Sequence, residues 1–196
     1  MTPHIAGVPT ARPSGAAVRL PGLTVVLTCF NEAATIAQRI HEARWAAVWN
    51  ADEYQIVVVD DGSTDGSAQI AADVAHEVAH VRVVEHGENR GFGAARVSGL
   101  RVASLPWVLL TDADLPFDLD QLERFVSLSA GADLVVDVDS AFELVRREVV
   151  DLPLMSSRAM ISTELVVRPA PTGARVREVG MAYRRATASP IAPRAA

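Results

Sequence analysis

Two pairs of carboxylates stand directly after apolar runs of this chain. Asp60 and Asp61 follow a run of one isoleucine and three valines, and Asp112 and Asp114 follow a run that begins at Trp107. Such runs are typical of buried parallel strands, and ligands of open α/β sheets bind beyond the carboxyl ends of the strands. Because alternate residues of an extended backbone project to the same side, Asp112 and Asp114 can converge on one hard cation. The pairs therefore predict a site for a metal ion and a phosphorylated ligand, in which the metal would stabilise a diphosphate leaving group.

The first pair also suits a strand-to-helix turn without any ligand, because Asp, Gly, Ser and Thr are common turn formers. Gly62 would permit the tight turn, and Ser63, Thr64 or Asp65 would cap the next helix. If a ligand binds, one carboxylate would accept hydrogen bonds from a base or ribose and the other would face a metal-bound phosphate. A lone D-x-D sequence is common in loops, so it is the presence of both pairs in one sheet that favours a ligand site.

A glycine-rich loop at residues 88–96 is predicted to open a helix. Gly91 and Gly93 would let a ligand approach the backbone closely, and a helix N-terminus favours an anion. The loop lacks the third glycine, and the position after the first strand, that a dinucleotide-binding loop requires. A simple glycine-rich helix entry, with Arg90 and Arg96 in solvent, is the alternative.

Composition and charge argue against several other classes of protein. The net charge of −6 and the pI near 5.3 do not suit a nucleic-acid binder, which needs a basic surface. The single cysteine, Cys29, lies in a strand-like run, which predicts a buried thiol in a reducing cytosol rather than a catalytic one. His76 and His80 are four residues apart but lack a third metal ligand, and P-loop and serine-hydrolase motifs are absent. No apolar run approaches the roughly 20 residues that span a bilayer, so we expect a soluble protein.

The elements that must position these residues alternate between strands and helices. Asn31 is predicted to cap the first helix, whose apolar face carries Ile36 and Ile40. This alternation predicts an α/β fold, with a mostly parallel sheet and helices on both faces. Strands are predicted at 24–28, 55–59, 81–85 and 107–111, with a second helix through Ile70, Val74 and Val78 and a third at 94–102.

The pattern is less regular after Pro116. It predicts a helix at 118–130 and strands at 133–136, 141–146 and 175–183. The chain of 196 residues fits a single domain at 21–188, with flexible, proline-containing tails at 1–20 and 189–196.

Taken in order along the chain, these motifs resemble those of the family-two inverting glycosyltransferases. That resemblance implies the GT-A fold, a Rossmann-like fold of nucleotide-diphospho-sugar transferases. The similarity is greatest to the branch that makes dolichol- and polyprenyl-phosphate sugars. Each segment is short, whereas their order and combination are specific to the family. The matching segments are residues 28–32, 59–66, 89–96, 111–114, 137–147 and 178–185.

The resemblance implies a role for each matching residue on the donor side. Asp61, with Asp60 and Glu32 nearby, would hold the nucleoside of a nucleoside-diphosphate sugar. Asp112 and Asp114 would serve the Mg²⁺ or Mn²⁺ that bridges the diphosphate. The further donor-site residues that the resemblance implies are Asn31, Asn89, Gly91 and Gly93.

On the acceptor side, the resemblance implies that Asp137 is the base, with Asp139 as its competitor. If the acceptor is a phosphate, it already carries the charge, and Arg184 or Arg185 would contact it. The expected activity is metal-dependent inverting transfer of a hexose to a polyprenyl phosphate or another acceptor. The expected location is the cytoplasm, with peripheral contact at the inner membrane surface if the acceptor is a lipid, and a homo-oligomer is left open.

The chain also departs from the family pattern. A segment of a few dozen residues that the family carries is missing between Val136 and Asp137, and Ala141 stands where the family has Gly. The turn after Arg185 lacks the usual Gly and Lys. These departures favour, as the alternative, a non-catalytic nucleotide-sugar binding or partner protein. A sugar nucleotidyltransferase is a weaker third alternative, because its basic glycine-rich loop is absent at the first strand.

Overall fold

Strands and helices alternate along the part of the chain that the structure describes. That part comprises residues 18–113, 119–137, 142–150 and 173–180 of the computed structural model. The strands are β1 (Leu20–Cys29), β2 (Ala51–Asp60), β3 (Val81–Glu85), β4 (Trp107–Asp112), β5 (Leu134–Asp137), β6 (Glu143–Arg146) and β7 (Val176–Val179). The helices are α1 (Ile36–Asn50), α2 (Ser67–Glu77), α3 (Phe92–Val102) and α4 (Leu119–Leu128), and 3₁₀ helices lie at Ser129–Gly131 and Arg147–Val149.

The strands form one sheet in the order β3-β2-β1-β4-β6-β5-β7. β1 pairs in parallel with β2 and β4, and β2 pairs in parallel with β3. β6 runs antiparallel to both β4 and β5, whereas β7 is parallel to β5. The carboxyl ends of the first four strands therefore meet at one edge of the sheet, which is where ligands bind in folds of this kind.

Both faces of the sheet are buried. Alternate side chains of its central strands point to opposite faces, and each set packs in a core of its own. On one face, Val25 and Leu27 of β1 belong to a core that includes residues of α1, α2 and α4. On the other face, Val26 packs in a core with Ala95 and Leu100 of α3. The predicted α/β fold, with a mostly parallel sheet and helices on both faces, is confirmed.

The structure corrects several predicted boundaries. Asn31 does not cap the first helix: α1 begins at Ile36, with Thr35 at its N-cap. Asn31 instead has a φ of +58°, the left-handed conformation that asparagine adopts in turns. β1 already begins at Leu20, and Arg19 donates a hydrogen bond to Asp52 at 2.7 Å, so the described chain is ordered slightly before the predicted end of the N-terminal tail.

Most of both predicted tails, and residues 181–183 of the last predicted strand, lie outside the described residues. The division into one domain at 21–188 with two tails therefore stays a prediction. Within the described ranges, no helix combines the length and apolar character that crossing a lipid bilayer requires.

Candidate functional site

A cleft of about 280 Å³ opens at the carboxyl ends of β1, β2 and β4. Parallel pairing places these ends side by side, since Thr28 is in register with Asp112 and Cys29 with Asp60. The cleft combines carboxylates, a polar amide, an aromatic ring and the start of α3. Its lining residues are Thr28, Cys29, Phe30, Glu32, Asp61, Asn89, Gly91, Phe92, Ala95 and Asp112.

Asp61 is the central carboxylate of the cleft and is buried. Its Oδ1 accepts a hydrogen bond from the backbone N–H of Arg90 at 3.0 Å and lies 2.7 Å from Nδ1 of His86. Its Oδ2 accepts the backbone N–H of Gly91 at 2.8 Å. The glycine-rich loop is thus built around Asp61, which explains how residues far apart in sequence form one wall of the cleft.

His86 is a site residue that the sequence analysis missed. It is buried at the end of β3, and its Nε2 lies 2.8 Å from the hydroxyl of Ser98 on α3. An ionised Asp61 can only accept hydrogen bonds, so Nδ1 of His86 must carry the proton that it shares with Asp61. In the neutral imidazole Nε2 is then an acceptor, and the Ser98 hydroxyl donates to it. A register argument could have found this residue, because Glu85 pairs with Asp60 and the next residues along each strand are His86 and Asp61.

Asp60 does not line the cleft, contrary to the prediction that both members of the first pair face a ligand. Asp60 is the last residue of β2, whereas Asp61 is the first residue after the strand, and only Asp61 lines the cleft. Asp60 is 2 % exposed, and its Oδ2 accepts the backbone N–H of Ser63 at 2.9 Å. Within the described residues, its Oδ1 has no hydrogen-bond partner. In this structure Asp60 therefore supports the turn after β2.

The neighbouring Cys29 has a pKa raised to about 11, first because burial disfavours the thiolate and then because the Asp60 carboxylate repels it. At neutral pH the cleft therefore contains a protonated thiol. This agrees with the prediction that Cys29 is not a catalytic nucleophile.

The turn after β1 is fastened to the turn after β2. The side chain of Asn31 accepts the backbone N–H of Thr64 at 2.9 Å, and the Asn31 N–H donates to the Ser63 hydroxyl at 2.9 Å. The Glu32 N–H donates to the Ser67 hydroxyl at 2.8 Å. Asn31 is thus committed to the turn, whereas Glu32 lines the cleft.

Two glycines make the central loops possible. Gly62 has a φ of +76°, and a Cβ added there would lie 2.4 Å from the backbone carbonyl carbon of Glu88, so the two loops touch. Gly91, at the N-cap of α3, has a φ of +90° and a ψ of 155°, a combination that only glycine adopts readily. Gly93, the other predicted glycine of this loop, is buried in the first turn of α3.

The two arginines of the glycine-rich segment differ. Arg90 is exposed, as the alternative interpretation expected. Arg96 is not in solvent: it is 1 % exposed, and its guanidinium lies 2.8 Å from the carboxylate of Glu143 on β6. The expectation of a solvated Arg96 was therefore wrong, because the side chain points into the protein from the inner face of α3.

Asp112 stands at the end of β4 and is partly buried. Its Oδ1 accepts a hydrogen bond from the Thr28 hydroxyl at 2.5 Å. The next residue, Ala113, is held at both backbone groups: its N–H donates to the Thr28 carbonyl at 2.9 Å, and its carbonyl accepts from Nε of Arg39 at 3.1 Å. The first carboxylate of the D-x-D is thus fixed by β1 and α1.

The metal prediction can be tested against this donor set. Within the described ranges, no group of three or more His, Cys, Asp or Glu side chains could enclose a metal ion, and Asp114 lies outside those ranges. Mg²⁺ and similar ions do not need such a cage, because one or two carboxylates together with substrate phosphates and water complete their shell. A carboxylate oxygen at the open edge of a cleft fits that requirement.

The acceptor-side predictions are only partly covered. Asp137 ends β5, is buried and donates its backbone N–H to the Phe142 carbonyl at 3.1 Å. β6 separates β5 from β4, so Asp137 is two strand spacings, roughly 10 Å, from the strand that ends in Asp112. Asp137 is not among the residues that line the cleft. Asp139, Arg184 and Arg185 lie outside the described residues.

Comparison with known proteins agrees with this geometry. Residues 24–166 match the family model described as Glycosyl transferase family 2. The succinoglycan biosynthesis protein ExoO of Rhizobium meliloti (strain 1021) is 28 % identical over 160 residues, which cover 76 % of this chain and 44 % of that protein. Glycosyltransferase AglE of Haloferax volcanii is 31 % identical over 118 residues, which cover 59 % of this chain and 38 % of that protein. The chain thus spans less than half the length of these two relatives.

Solved structures show the same fold at lower identity. The mannosyltransferase PcManGT from Pyrobaculum calidifontis, in complex with GDP-Man and Mn²⁺, has a TM-score of 0.69 at 21 % identity, covering 86 % of this chain and 58 % of that one. Glucosyl-3-phosphoglycerate synthase from Mycobacterium tuberculosis, in complex with Mn²⁺, UDP and glucosyl-3-phosphoglycerate, has a TM-score of 0.67 at 20 % identity, covering 82 % and 70 %. The predicted GT-A fold is confirmed.

Proposed function

This chain belongs to glycosyltransferase family 2, and on that premise we propose that its cleft binds a nucleoside-diphosphate sugar and transfers the sugar to an acceptor. The observation that carries the proposal is the meeting of Asp61, Asp112 and the Gly91 loop at the carboxyl ends of three parallel strands. Each supplies a different chemical requirement of the donor. A nucleoside needs hydrogen-bond partners, a diphosphate needs a cation, and the start of a helix favours phosphate.

The nucleoside would lie against Asp61. This carboxylate is at the cleft wall and is fixed by the loop that surrounds it, so it presents an acceptor at a defined position. Phe30, with 45 % of its surface exposed, offers an aromatic face at the same cleft. Glu32 and Asn89 add polar groups around the same space.

The diphosphate would lie toward Asp112 and the start of α3. Asp112, with Asp114 after it, would hold Mg²⁺ or Mn²⁺, which when bound neutralises the developing charge of the nucleoside diphosphate. Mn²⁺ in the two solved structures supports the choice of a divalent cation. The positive end of the α3 dipole favours the same anion from the side of Gly91.

The acceptor would be a polyprenyl phosphate or another molecule, in the cytoplasm or at the inner membrane surface. Inversion requires attack on the sugar from the side opposite the leaving diphosphate, and a carboxylate normally removes the proton from the acceptor. We propose Asp137 for this role, with Asp139 as its competitor. A phosphate acceptor would need the base less, and Arg184 or Arg185 would then bind its charge.

The burial of Asp137, away from the cleft lining, favours one alternative function. A family member without an accessible base could bind a nucleotide sugar without transferring it. Such a protein would bind the donor with the same residues. It would neither transfer the sugar nor hydrolyse the donor, even slowly. The two functions therefore differ in turnover and not in binding.

The test of the proposed function is calorimetric titration of UDP and GDP, each with and without Mn²⁺, on the wild type and Asp112→Asn. We expect Mn²⁺ to raise the affinity for at least one nucleotide, and Asp112→Asn to remove at least about tenfold of that increase, which corresponds to ~1.4 kcal/mol. Asp73→Asn, an exposed change on α2, is the matched control. Mn²⁺-dependent binding that survives in Asp112→Asn would contradict the metal role. Binding of neither nucleotide by the wild type would contradict the donor site.

Turnover separates the enzyme from the binding protein. Incubation with UDP- and GDP-sugars and Mn²⁺ should release the nucleoside diphosphate, slowly to water and faster with a suitable acceptor such as a polyprenyl phosphate. Tight binding without any release, across soluble and lipid-phosphate acceptors, would favour the non-catalytic alternative.

A further inference from the structure

The carboxylate of Asp61 has one hydrogen-bonding position left for a ligand. An ionised carboxylate offers about four acceptor positions, two on each oxygen. Oδ1 is occupied by the Arg90 N–H and by His86, and Oδ2 by the Gly91 N–H. Counted over the described residues, a single acceptor position therefore remains, and it is on Oδ2.

His86 holds this arrangement in place. The His86 and Asp61 side chains are 4 % and 5 % exposed, so their contact at 2.7 Å is shielded from water. Ser98 fixes the other ring nitrogen at 2.8 Å, and this orients the imidazole so that its Nδ1–H points at Oδ1. Because α3 carries Ser98, the orientation of Asp61 depends on a second element behind the cleft wall.

We propose that His86 is a positioning residue that determines nucleotide specificity, because it occupies Oδ1 of Asp61 and leaves one acceptor that favours uracil over guanine. The inference rests on the proposed function, in which Asp61 holds the nucleoside. Uracil presents one ring N–H, which a single acceptor satisfies. Guanine presents a ring N–H beside an amino group, which together match two carboxylate oxygens.

The difference follows from the cost of unpaired polar groups. Guanine at this site would leave one of its two adjacent donors without a partner inside the cleft, and an unpaired buried donor weakens binding. Asn89 also suits a base with flanking carbonyl groups. Its Oδ1 accepts the Gly91 N–H at 3.0 Å, which leaves its amide nitrogen as a donor at the cleft.

The first measurement compares UDP with GDP on the wild-type protein in the presence of Mn²⁺. We expect UDP to bind at least about tenfold more tightly, which corresponds to ~1.4 kcal/mol. Equal affinities would mean that Asp61 contacts the ribose or does not read the base, and tighter binding of GDP would mean that it reads guanine; either result overturns the inference. Binding of neither nucleotide would instead be a failure of the proposed function, so the two failures are distinguishable.

The second measurement assigns the selectivity to His86. His86→Phe keeps a ring of similar size but removes the donor that fixes Oδ1, so the Asp61 carboxylate is no longer held with a single acceptor toward the cleft, and the preference for UDP should fall at least about threefold (~0.6 kcal/mol). His86→Asn places an amide N–H near the position of Nδ1 and should restore the preference. His76→Gln, an exposed change on α2, is the control. An unchanged UDP to GDP ratio in a folded His86→Phe protein overturns the inference, and if that variant does not fold, the same ratio in Ser98→Ala is compared.

Discussion

Among the residues that line the cleft, Cys29 gives the most direct test of local electrostatics. Its pKa is raised to about 11, because burial and the Asp60 carboxylate both disfavour a second negative charge, so the thiol is protonated at neutral pH. The thiolate is the form that iodoacetamide alkylates. We therefore expect slow alkylation at pH 7.5 and a rate that rises about tenfold per pH unit up to pH about 11. Since the chain has a single cysteine, mass spectrometry of the wild type measures this site without further variants.

The pH profile separates this effect from simple shielding. Restricted access would lower the rate by the same factor at every pH, whereas a raised pKa moves the midpoint of the profile. The unfolded chain in urea is the control, and its midpoint should lie near the ordinary thiol value of 9.0. The raised pKa also affects stability. Its contribution to the free energy of unfolding is fully present below pH 9 and is lost as the pH rises toward about 11. A native midpoint near 9 would contradict the environment that we describe.

At the residue scale, half of the residues that line the cleft were predicted from the sequence. Asp61, Asp112, Glu32, Asn89 and Gly91 were all predicted and all line it. Asp61, Asp112 and Gly91 could be found because acidic and glycine-rich segments after apolar runs mark strand ends. Glu32 and Asn89, in contrast, were implied by the resemblance to the family.

What the patterns missed depends on tertiary contacts. The role of His86 follows from strand register, which a single sequence does not state. Adjacent carboxylates such as Asp60 and Asp61 look equivalent in sequence, although Asp60 supports the turn after β2 and only Asp61 lines the cleft.

At the scale of elements, Arg39 connects α1 to the end of β4, where Asp112 and Ala113 lie. Its Nε holds the Ala113 carbonyl at 3.1 Å, and its guanidinium pairs with Glu42 at 2.7 Å within the helix. Arg39→Gln should loosen the loop that carries Asp112. We expect the Mn²⁺-dependent part of nucleotide affinity to fall about 10- to 100-fold, the range seen when partners of metal ligands are removed, while affinity without metal is unchanged. Calorimetric titration of UDP at several Mn²⁺ concentrations measures both.

Two controls isolate the contact with Ala113. Glu42→Gln removes the helix ion pair but leaves the Nε hydrogen bond, so Mn²⁺ dependence should be nearly normal. Arg44→Gln removes a second arginine of α1, whose Nε lies 3.3 Å from the Tyr54 hydroxyl, away from the cleft. The same loss of Mn²⁺ dependence in all three variants would show that a general effect on α1, and not the carbonyl contact, is responsible.

Strands were predicted in both halves of the sheet, but the direction in which they pair was predictable only in the parallel half. β1, β2 and β4 are apolar on both faces, which is the sequence pattern of strands covered by helices on both sides. β5 and β6 each have only four residues, and the direction of so short a strand leaves no trace in its sequence. Asn31 was misassigned as a cap because asparagine favours caps and left-handed turns alike, and only the contact with Thr64 distinguishes them.

At the scale of the whole molecule, two halves of the sheet are joined by a buried ion pair. Arg96 on α3 and Glu143 on β6 are 1 % and 2 % exposed, and their charged groups lie 2.8 Å apart. The Arg96 guanidinium also lies 5.1 Å from the ring centre of Phe92, which lines the cleft. The parallel half that carries the cleft is thus tied to the antiparallel half that carries Asp137. Helical spacing agrees with the burial of Arg96, since this residue lies on the same face of α3 as Gly99 and Leu100, which are also buried.

Breaking this pair should destabilise the entire fold. Arg96→Met keeps much of the volume but leaves the Glu143 carboxylate buried without the guanidinium, and losses of this kind typically cost about 3–5 kcal/mol. Equilibrium unfolding in urea measures the free energy of unfolding. The double variant Arg96→Met, Glu143→Leu should lose less than the single variant, because it removes both charges of the described pair together. Arg101→Met, an exposed change on the same helix, should stay within about 0.5 kcal/mol of the wild type. If Arg96→Met costs no more than Arg101→Met, the pair does not join the two halves, and the cleft is stabilised by the parallel half alone.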